Sequence, residues 1–103
     1  MIKVLVAGFM GSMGQKTVQM INEDDNFELV GAYNPGIDVA HMQGMGLNKN
    51  VKLFSSLDEI ETDADVWIDF TIPSAVFGNV KFAIEHGIHP VVGTSGMKDD
   101  QIQ

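Results

Sequence analysis

The stretch VAGFMGSMGQ, residues 6–15, constrains the fold of this chain more than any other part of the sequence. It places Gly8, Gly11 and Gly14 at even spacings of three residues. Glycine loses more backbone entropy on folding than any other residue, so three of them in so short a stretch need a reason. An apolar run leads into the stretch and a helical pattern leads out of it. We therefore predict a strand, a tight turn and a helix, with a ligand that approaches the backbone closely.

The rest of the chain alternates short apolar runs with helical patterns. Strands are predicted over residues 3–7, 27–33, 51–54, 66–70 and 89–92, and helices over 15–22, about 74–86 and from 98 onward. A short helix is predicted over 57–60, and a loop, with or without one helical turn, over 35–50. Strands that alternate with helices indicate a parallel sheet. The chain is therefore predicted to be one α/β domain, residues 1–103, with a Rossmann-like, doubly wound parallel sheet.

The helix that follows the fourth strand has recognisable ends and an apolar side. Ser74 is expected to cap its beginning, and Gly87 is expected to stop it. Its apolar face is predicted from Val76, Phe77, Val80, Ala83 and Ile84.

Four segments should meet at one edge of such a sheet. Ligands of doubly wound sheets bind at the carboxyl ends of the strands, where the strand order reverses. These ends are residues 8–13, 33–34, 70–73 and 93–96, and all four are rich in Gly, Thr, Ser or Asn. The sequence therefore predicts a polar rim formed by these segments.

The glycine loop fits a phosphate-binding turn. Gly11 would let the backbone approach a pyrophosphate, and Gly14 would let the helix pack closely on the first strand. The helix start supplies free N–H groups and the positive end of a dipole. If Gly11 and Gly14 are the second and third glycines of G-x-G-x-x-G, Phe9 stands where the first should be and Gly8 lies one place early. The alternative is a tight turn that binds no ligand.

The residue at the end of the second strand normally selects the cofactor. A carboxylate there binds the ribose 2′-hydroxyl of NAD, and a basic residue suits the 2′-phosphate of NADP. Twenty residues after Gly14 this chain has Asn34. Its neutral amide neither requires the hydroxyl nor repels the phosphate. Asn34 also begins an Asn-Pro-Gly turn, and the two interpretations are compatible.

Composition argues against several other functions. The net charge is -8, and the six basic residues are scattered, so no basic face for nucleic acid is expected. No apolar run approaches the length of a membrane span. The chain has no cysteine, hence no thiolate chemistry. No His, Asp and Glu set has metal-ligand spacing. Catalytic roles for His41, His86 and His89 are not expected, and Asp69 is expected to bond a loop backbone.

Four stretches together resemble a known family: VLVAGFMGSMG (4–14), VGAYNPG (30–36), DADVWIDFTIPSA (63–75) and HPVVGTSG (89–96). They are similar to the N-terminal, nucleotide-binding domain of bacterial 4-hydroxy-tetrahydrodipicolinate reductase, also called dihydrodipicolinate reductase. The resemblance covers essentially all 103 residues. It implies an NAD(P)H-dependent oxidoreductase of the cytoplasm, on the diaminopimelate route to lysine, with NADH or NADPH as hydride donor.

The resemblance also implies which residues contact the cofactor. They are Gly8, Phe9, Met10, Gly11, Ser12, Met13, Asn34, Phe70, Thr71, Gly93, Thr94 and Ser95. Some family members have arginine in place of Ser12 and of Pro35, and either arginine can serve a 2′-phosphate. The choice between NADH and NADPH therefore stays open.

The family has a second domain, and we expect that domain to be missing from these 103 residues. In the family that domain binds the small dicarboxylate substrate, supplies the protonating group and builds a homotetramer. We therefore expect the 103 residues to be a fragment that is inactive alone, with no catalytic residue and no metal of its own. The alternative is a non-enzymatic Rossmann module that senses a nucleotide or binds CoA, since fold alone does not separate the two.

Overall fold

The computed structural model describes residues 1–35, 37, 40, 43, 44, 47 and 50–93. The described elements are β1 (Ile2–Ala7), α1 (Ser12–Glu23), β2 (Phe27–Tyr33), β3 (Lys52–Phe54), a 3-10 turn (Leu57–Glu59), β4 (Val66–Asp69), α2 (Pro73–Glu85) and β5 (His89–Val92). The five strands form one sheet in the order β3-β2-β1-β4-β5, and every neighbouring pair is parallel. The chain winds outward from β1 in both directions, which confirms the predicted doubly wound α/β fold.

The central strand β1 is buried on both faces. Val4, Leu5, Val6 and Ala7 are each at most 1% exposed. Side chains of a strand alternate between the two faces, so Val4 and Val6 pack beneath α1, whereas Leu5 and Ala7 pack on the side of α2. A continuous apolar strand is what a parallel sheet covered on both faces requires.

Helix α1 begins three residues earlier than predicted. It starts at Ser12 rather than at residue 15, and Gly11 is its N-cap. Gly14 therefore lies inside the helix, where glycine is normally unfavourable. The buried face of α1 consists of Gly14, Val18 and Ile21, as expected from the pattern.

The beginning of α2 differs from the prediction as well. Its N-cap is Ile72, which offers no side-chain hydrogen bond, and Pro73 occupies the first turn. Ser74 lies inside the helix and is exposed, so the predicted Ser74 cap is wrong. Proline replaces the polar cap here because its fixed φ suits the first helical position and its missing N–H would have had no helical partner. The predicted stop is confirmed: Gly87 follows the helix with φ +72°.

The predicted inner face of α2 is correct in part, since Ala83 is buried and Val76 and Val80 are half-buried. Asn79 and Ala83 are the buried residues of this helix, whereas Phe77 is 81% and Ile84 63% exposed. Ala83 alone of the predicted face is fully buried. The helix is rotated so that a polar side chain, Asn79, points to the sheet, where it meets the carboxylate of Asp69.

The helix predicted from residue 98 onward lies outside the described residues, as does most of the loop predicted over 35–50. Neither of the two described helices is long and apolar enough to cross a membrane.

Candidate functional site

Four backbone hydrogen bonds bring the first residues after four strands to one edge of the sheet. Gly8 donates to the Tyr33 carbonyl at 2.7 Å, and Asn34 donates to the Phe54 carbonyl at 3.1 Å. On the other side of β1, the Phe70 N–H donates to the Ala7 carbonyl and the Gly93 N–H donates to the Asp69 carbonyl, each at 2.8 Å. The structure therefore brings Gly8, Asn34, Phe70 and Gly93 to one rim. Thr94 and Ser95 lie outside the described residues.

Gly8 is required by the fold itself. Its φ of +76° is in the left-handed region that side chains disfavour. A Cβ atom at Gly8 would lie 2.7 Å from the carbonyl carbon of Phe70 and 2.9 Å from the Thr71 nitrogen. Gly8 thus makes the tight turn after β1 although it stands one place early in the motif. The next residue, Phe9, is only 1% exposed, so its side chain belongs to the core.

Gly14 is also required by the fold, whereas Gly11 is not. A Cβ atom at Gly14 would lie 2.6 Å from the Cα atom of Phe9, so glycine lets α1 rest directly on the turn. A Cβ atom at Gly11 would have a single neighbour, the Gly8 carbonyl oxygen at an ordinary 3.8 Å. The backbone of Gly11, with φ -75° and ψ 167°, is open to any residue. Internal packing among the described residues therefore gives no reason for a glycine at position 11.

The N-terminus of α1 lacks a side-chain cap. Gly11 has no side chain to bond the first N–H groups, and the first turn contains no acidic residue. Ser12 and Met13 are exposed beside it. The first-turn N–H groups and the positive end of the helix dipole therefore lie at the rim with no side-chain cap and no acidic residue in the first turn. Such an end is suited to an anion.

Two side chains hold the glycine loop at Met10. The Oδ1 atom of Asn34 accepts a hydrogen bond from the Met10 N–H at 3.3 Å, and the Gln15 side-chain amide donates to the Met10 carbonyl at 2.8 Å. Asn34 thus supports the loop in addition to facing the rim. Gln15 was missed at the sequence level, where it counted only as a helical residue. A long amide in the first turn after a glycine loop is the signal that points to it.

The segment after β4 forms the second wall of the rim. Asp69 is 0% exposed, and its carboxylate accepts hydrogen bonds from the N–H and hydroxyl of Thr71, as expected for a residue that bonds a loop backbone. The ring of Phe70 lies against Gly93, where an added Cβ would be 2.8 Å from its Cε1 atom. Phe70 therefore joins the end of β4 to the end of β5.

Tyr33 lies beneath the rim at the end of β2 and is 4% exposed. Burial raises the pKa of its phenol above the ordinary value of 10.0, and the charge of Asp69 raises the pKa further. The phenol is therefore neutral at physiological pH. Its ring packs against Trp67 at a centroid distance of 5.9 Å.

The described histidines lie away from the rim. His86 is the C-cap of α2, with its Nδ1 atom 2.8 Å from the Phe82 carbonyl oxygen and its ring stacked on that of Phe82. His89 begins β5 at the opposite edge of the sheet and is exposed. His41 lies outside the described residues. Among the residues that the structure describes, no group of three or more potential ligands could hold a metal ion.

A parallel doubly wound sheet with an uncapped, glycine-preceded helix at its carboxyl edge places this chain in the class of Rossmann-like nucleotide-binding domains. Residues 2–103 match the family model described as "Dihydrodipicolinate reductase, N-terminus", and the chain belongs to that family.

Individual relatives agree with this assignment. The chain is 50% identical over 107 residues to the 4-hydroxy-tetrahydrodipicolinate reductase of Lactiplantibacillus plantarum, covering 99% of this chain and 40% of the relative. It is 52% identical over 100 residues to the reductase of the same name from Lactobacillus helveticus, and the match covers 96% of this chain and 38% of the relative. The solved structure of a dipicolinate-bound dihydrodipicolinate reductase from Paenisporosarcina sp. TG-14 superimposes with a TM-score of 0.78 at 30% identity. The match covers 100% of this chain and 41% of that structure's chain. The chain thus spans about two fifths of the length of these relatives.

Proposed function

We propose that this chain binds the dinucleotide of an NAD(P)H-dependent reductase. The observation that carries the proposal is the contrast between its glycines. Gly8 and Gly14 are explained by contacts inside the protein, whereas a Cβ at Gly11, before an uncapped helix, would meet among the described residues just the Gly8 carbonyl oxygen, at an ordinary 3.8 Å. A ligand whose phosphates approach the backbone at that point accounts for the glycine.

The described residues suggest how the cofactor would be held. The N–H groups at the start of α1, from Ser12 and Met13, would bind the pyrophosphate. Asn34, whose Oδ1 atom is engaged by Met10, would face the adenosine ribose with its amide group. Phe70 and Gly93 would line the other side of the rim, and the family resemblance assigns Thr94 and Ser95 to the loop near the nicotinamide.

The family supports a specific reaction for the whole protein. We propose that it reduces 4-hydroxy-tetrahydrodipicolinate to tetrahydrodipicolinate in the synthesis of diaminopimelate and lysine, in the cytoplasm and as a homotetramer. The cofactor would supply the hydride. This chain's own part is to bind and orient it, and the group that protonates the reduced product is expected outside the 103 residues. The relatives' names favour a reductase over a nucleotide sensor.

We further propose that the protein uses NADH and NADPH with similar affinity. Asn34 carries no charge to repel a 2′-phosphate. Ser12 and Pro35 carry no charge to attract one. The two dissociation constants should therefore lie within roughly tenfold of each other, which corresponds to about 1.4 kcal/mol.

The substitution Gly11→Val tests the site without an expected loss of the fold. The backbone of Gly11, with φ -75° and ψ 167°, has a conformation that valine also adopts, but the branched side chain would occupy the space where the phosphates must approach. Calorimetric titration with NADH should show affinity reduced by more than about tenfold, or about 1.4 kcal/mol. Gly78→Val is the matched control, because a Cβ at Gly78 in α2 meets nothing within 4 Å. Equal affinities of wild type and Gly11→Val would reject the pyrophosphate assignment.

A separate assay tests the proposed reaction, and it uses the full-length protein encoded by the gene. Oxidation of NADH is followed by absorbance after addition of the product of dihydrodipicolinate synthase. Consumption of NADH that depends on that product is the expected result. Tight NADH binding without any such consumption would favour the sensor alternative.

A further inference from the structure

The carboxylate of Asp69 is saturated with hydrogen-bond donors although it is fully buried. Its Oδ1 atom accepts from the N–H of Thr71 at 2.8 Å and from the Thr71 hydroxyl. Its Oδ2 atom accepts from Trp67 Nε1 at 3.1 Å and from Asn79 Nδ2 at 3.0 Å. Among the described residues Asp69 has no cationic partner. Donors alone therefore compensate the cost of burying its charge.

These bonds fix a short piece of backbone that the glycine loop needs. The bond from the Thr71 N–H to the Asp69 side chain closes a turn over residues 69–71. That turn places the Phe70 carbonyl and the Thr71 nitrogen beside Gly8. A Cβ atom added at Gly8 would lie within 3 Å of them. The position of the turn after β1 therefore depends on the position of the turn after β4.

The hydroxyl of Thr71 is engaged inside the protein and not at the rim. It donates to Asp69 Oδ1 and accepts from Asn79 Nδ2 at 3.0 Å, and Thr71 is only 5% exposed. The N–H of Thr71 is also used by Asp69. Both donors of this residue therefore point to the carboxylate.

We infer that Asp69 and Asn79 are positioning residues for the bound dinucleotide, and that Thr71 contributes through its buried hydroxyl instead of contacting the cofactor with it. Asn79, the seventh residue of α2, ties the helix to the turn at residues 69–71, so the carboxylate, the hydroxyl and the amide act as one unit. This inference rests on the proposed function, since it concerns the geometry of the same rim.

A double-mutant cycle of Thr71→Val and Asp69→Asn tests the inference in the protein as its gene encodes it. NADH affinity is measured for both single variants and the double variant. Each single variant should bind NADH several-fold more weakly than the wild type. The double variant should lose no more affinity than the single variant with the larger loss, because both changes disrupt the same unit. A coupling equal to the smaller of the two single losses supports the inference. If Asp69→Asn does not fold, Asn79→Ala takes its place in the cycle.

Two further variants separate positioning from general destabilisation. Thr71→Ser keeps the hydroxyl and should restore most of the affinity that Thr71→Val loses. Ile88→Val removes a buried methylene before β5, at the opposite edge of the sheet, and should reduce stability without changing NADH affinity.

The outcomes distinguish failure of this inference from failure of the proposed function. Additive losses in the cycle would overturn the inference, because they would mean that the Thr71 hydroxyl contacts the cofactor independently of Asp69. Unchanged affinity in Thr71→Val would overturn it as well. If the wild-type protein does not bind NADH or NADPH at all, the proposed function fails first, and that result is seen before any variant is made.

Discussion

Gly8 offers the sharpest test of the structure, through the substitution Gly8→Ala. Two separate costs arise from one methyl group. The residue sits at φ +76°, and the added Cβ atom would meet the carbonyl carbon of Phe70 at 2.7 Å and the nitrogen of Thr71 at 2.9 Å. Neither atom is the flexible end of a side chain, so the backbone itself must shift.

The size of the effect follows from these two terms. The left-handed conformation costs an alanine about 1–2 kcal/mol relative to glycine. Overpacking against atoms that move only with the backbone adds about 1–3 kcal/mol. A loss of about 2–5 kcal/mol is large against the 5–15 kcal/mol typical of a domain. Gly87→Ala isolates the first term, because Gly87 has φ +72° and an added Cβ would meet nothing within 4 Å.

Urea unfolding of the 103-residue chain and the two variants measures both terms. Trp67 is the single tryptophan of these residues and is fully buried, so its fluorescence follows the transition. Gly87→Ala should cost about 1–2 kcal/mol, and Gly8→Ala should cost clearly more. If Gly8→Ala is no more harmful than Gly87→Ala, the turn after β4 does not lie against the glycine loop, and the geometry of the rim is refuted.

Three further predictions concern the cofactor and the buried charge. Asn34→Asp keeps the acceptor for Met10 but adds a negative charge, so it should weaken NADPH binding more than NADH binding; an unchanged ratio in paired titrations would mean that this side chain does not face the ribose. The 103-residue chain should bind NADH yet turn over no substrate in the absorbance assay, because we have placed no proton-donating acid at the rim among the described residues; turnover equal to that of a version extended by a substrate domain like that of the relatives would contradict this. Asp69→Asn should lower the pKa of Tyr33 while leaving it above 10.0, since burial remains the larger cause of the shift. A phenolate titration by ultraviolet absorbance checks this, and in the wild type the raised pKa means that stability declines as pH rises above 10.0.

Much of the fold could be predicted because its signals are local. Each signal depends only on residues that are close in sequence. Examples are the apolar run of β1, the turn residues that end β2 and the glycine that ends α2. The alternation of strands and helices then restricts the topology through the handedness of the crossovers. The helix starts were less accurate, because Gly14 and Pro73 are read as breaks unless the packing that accommodates them is known.

The supports of the site could not be predicted, because each depends on a distant partner. Asn34 bonds Met10 across 24 positions of sequence, and Asn79 meets Asp69 across 10. No local pattern indicates which amide side chain will meet which distant backbone or side-chain group. The glycine spacing identified where a ligand would approach, but only the structure separates the two glycines required by packing, Gly8 and Gly14, from Gly11.

The rotation of α2 shows why hydrophobic periodicity included Phe77 and Ile84 in the buried face and missed Asn79. Burying Phe77 and Ile84 would have gained about 1.5–3 kcal/mol for each side chain, yet both are exposed and Asn79 is buried in their stead. Apolar surface can be covered by any apolar neighbour, whatever its detailed geometry. The fully buried carboxylate of Asp69 instead needs donors at hydrogen-bond distance and in the right direction, and an unsatisfied one costs more than either side chain gains. The polar requirement therefore sets the rotation of the helix, and the apolar residues take the positions that remain.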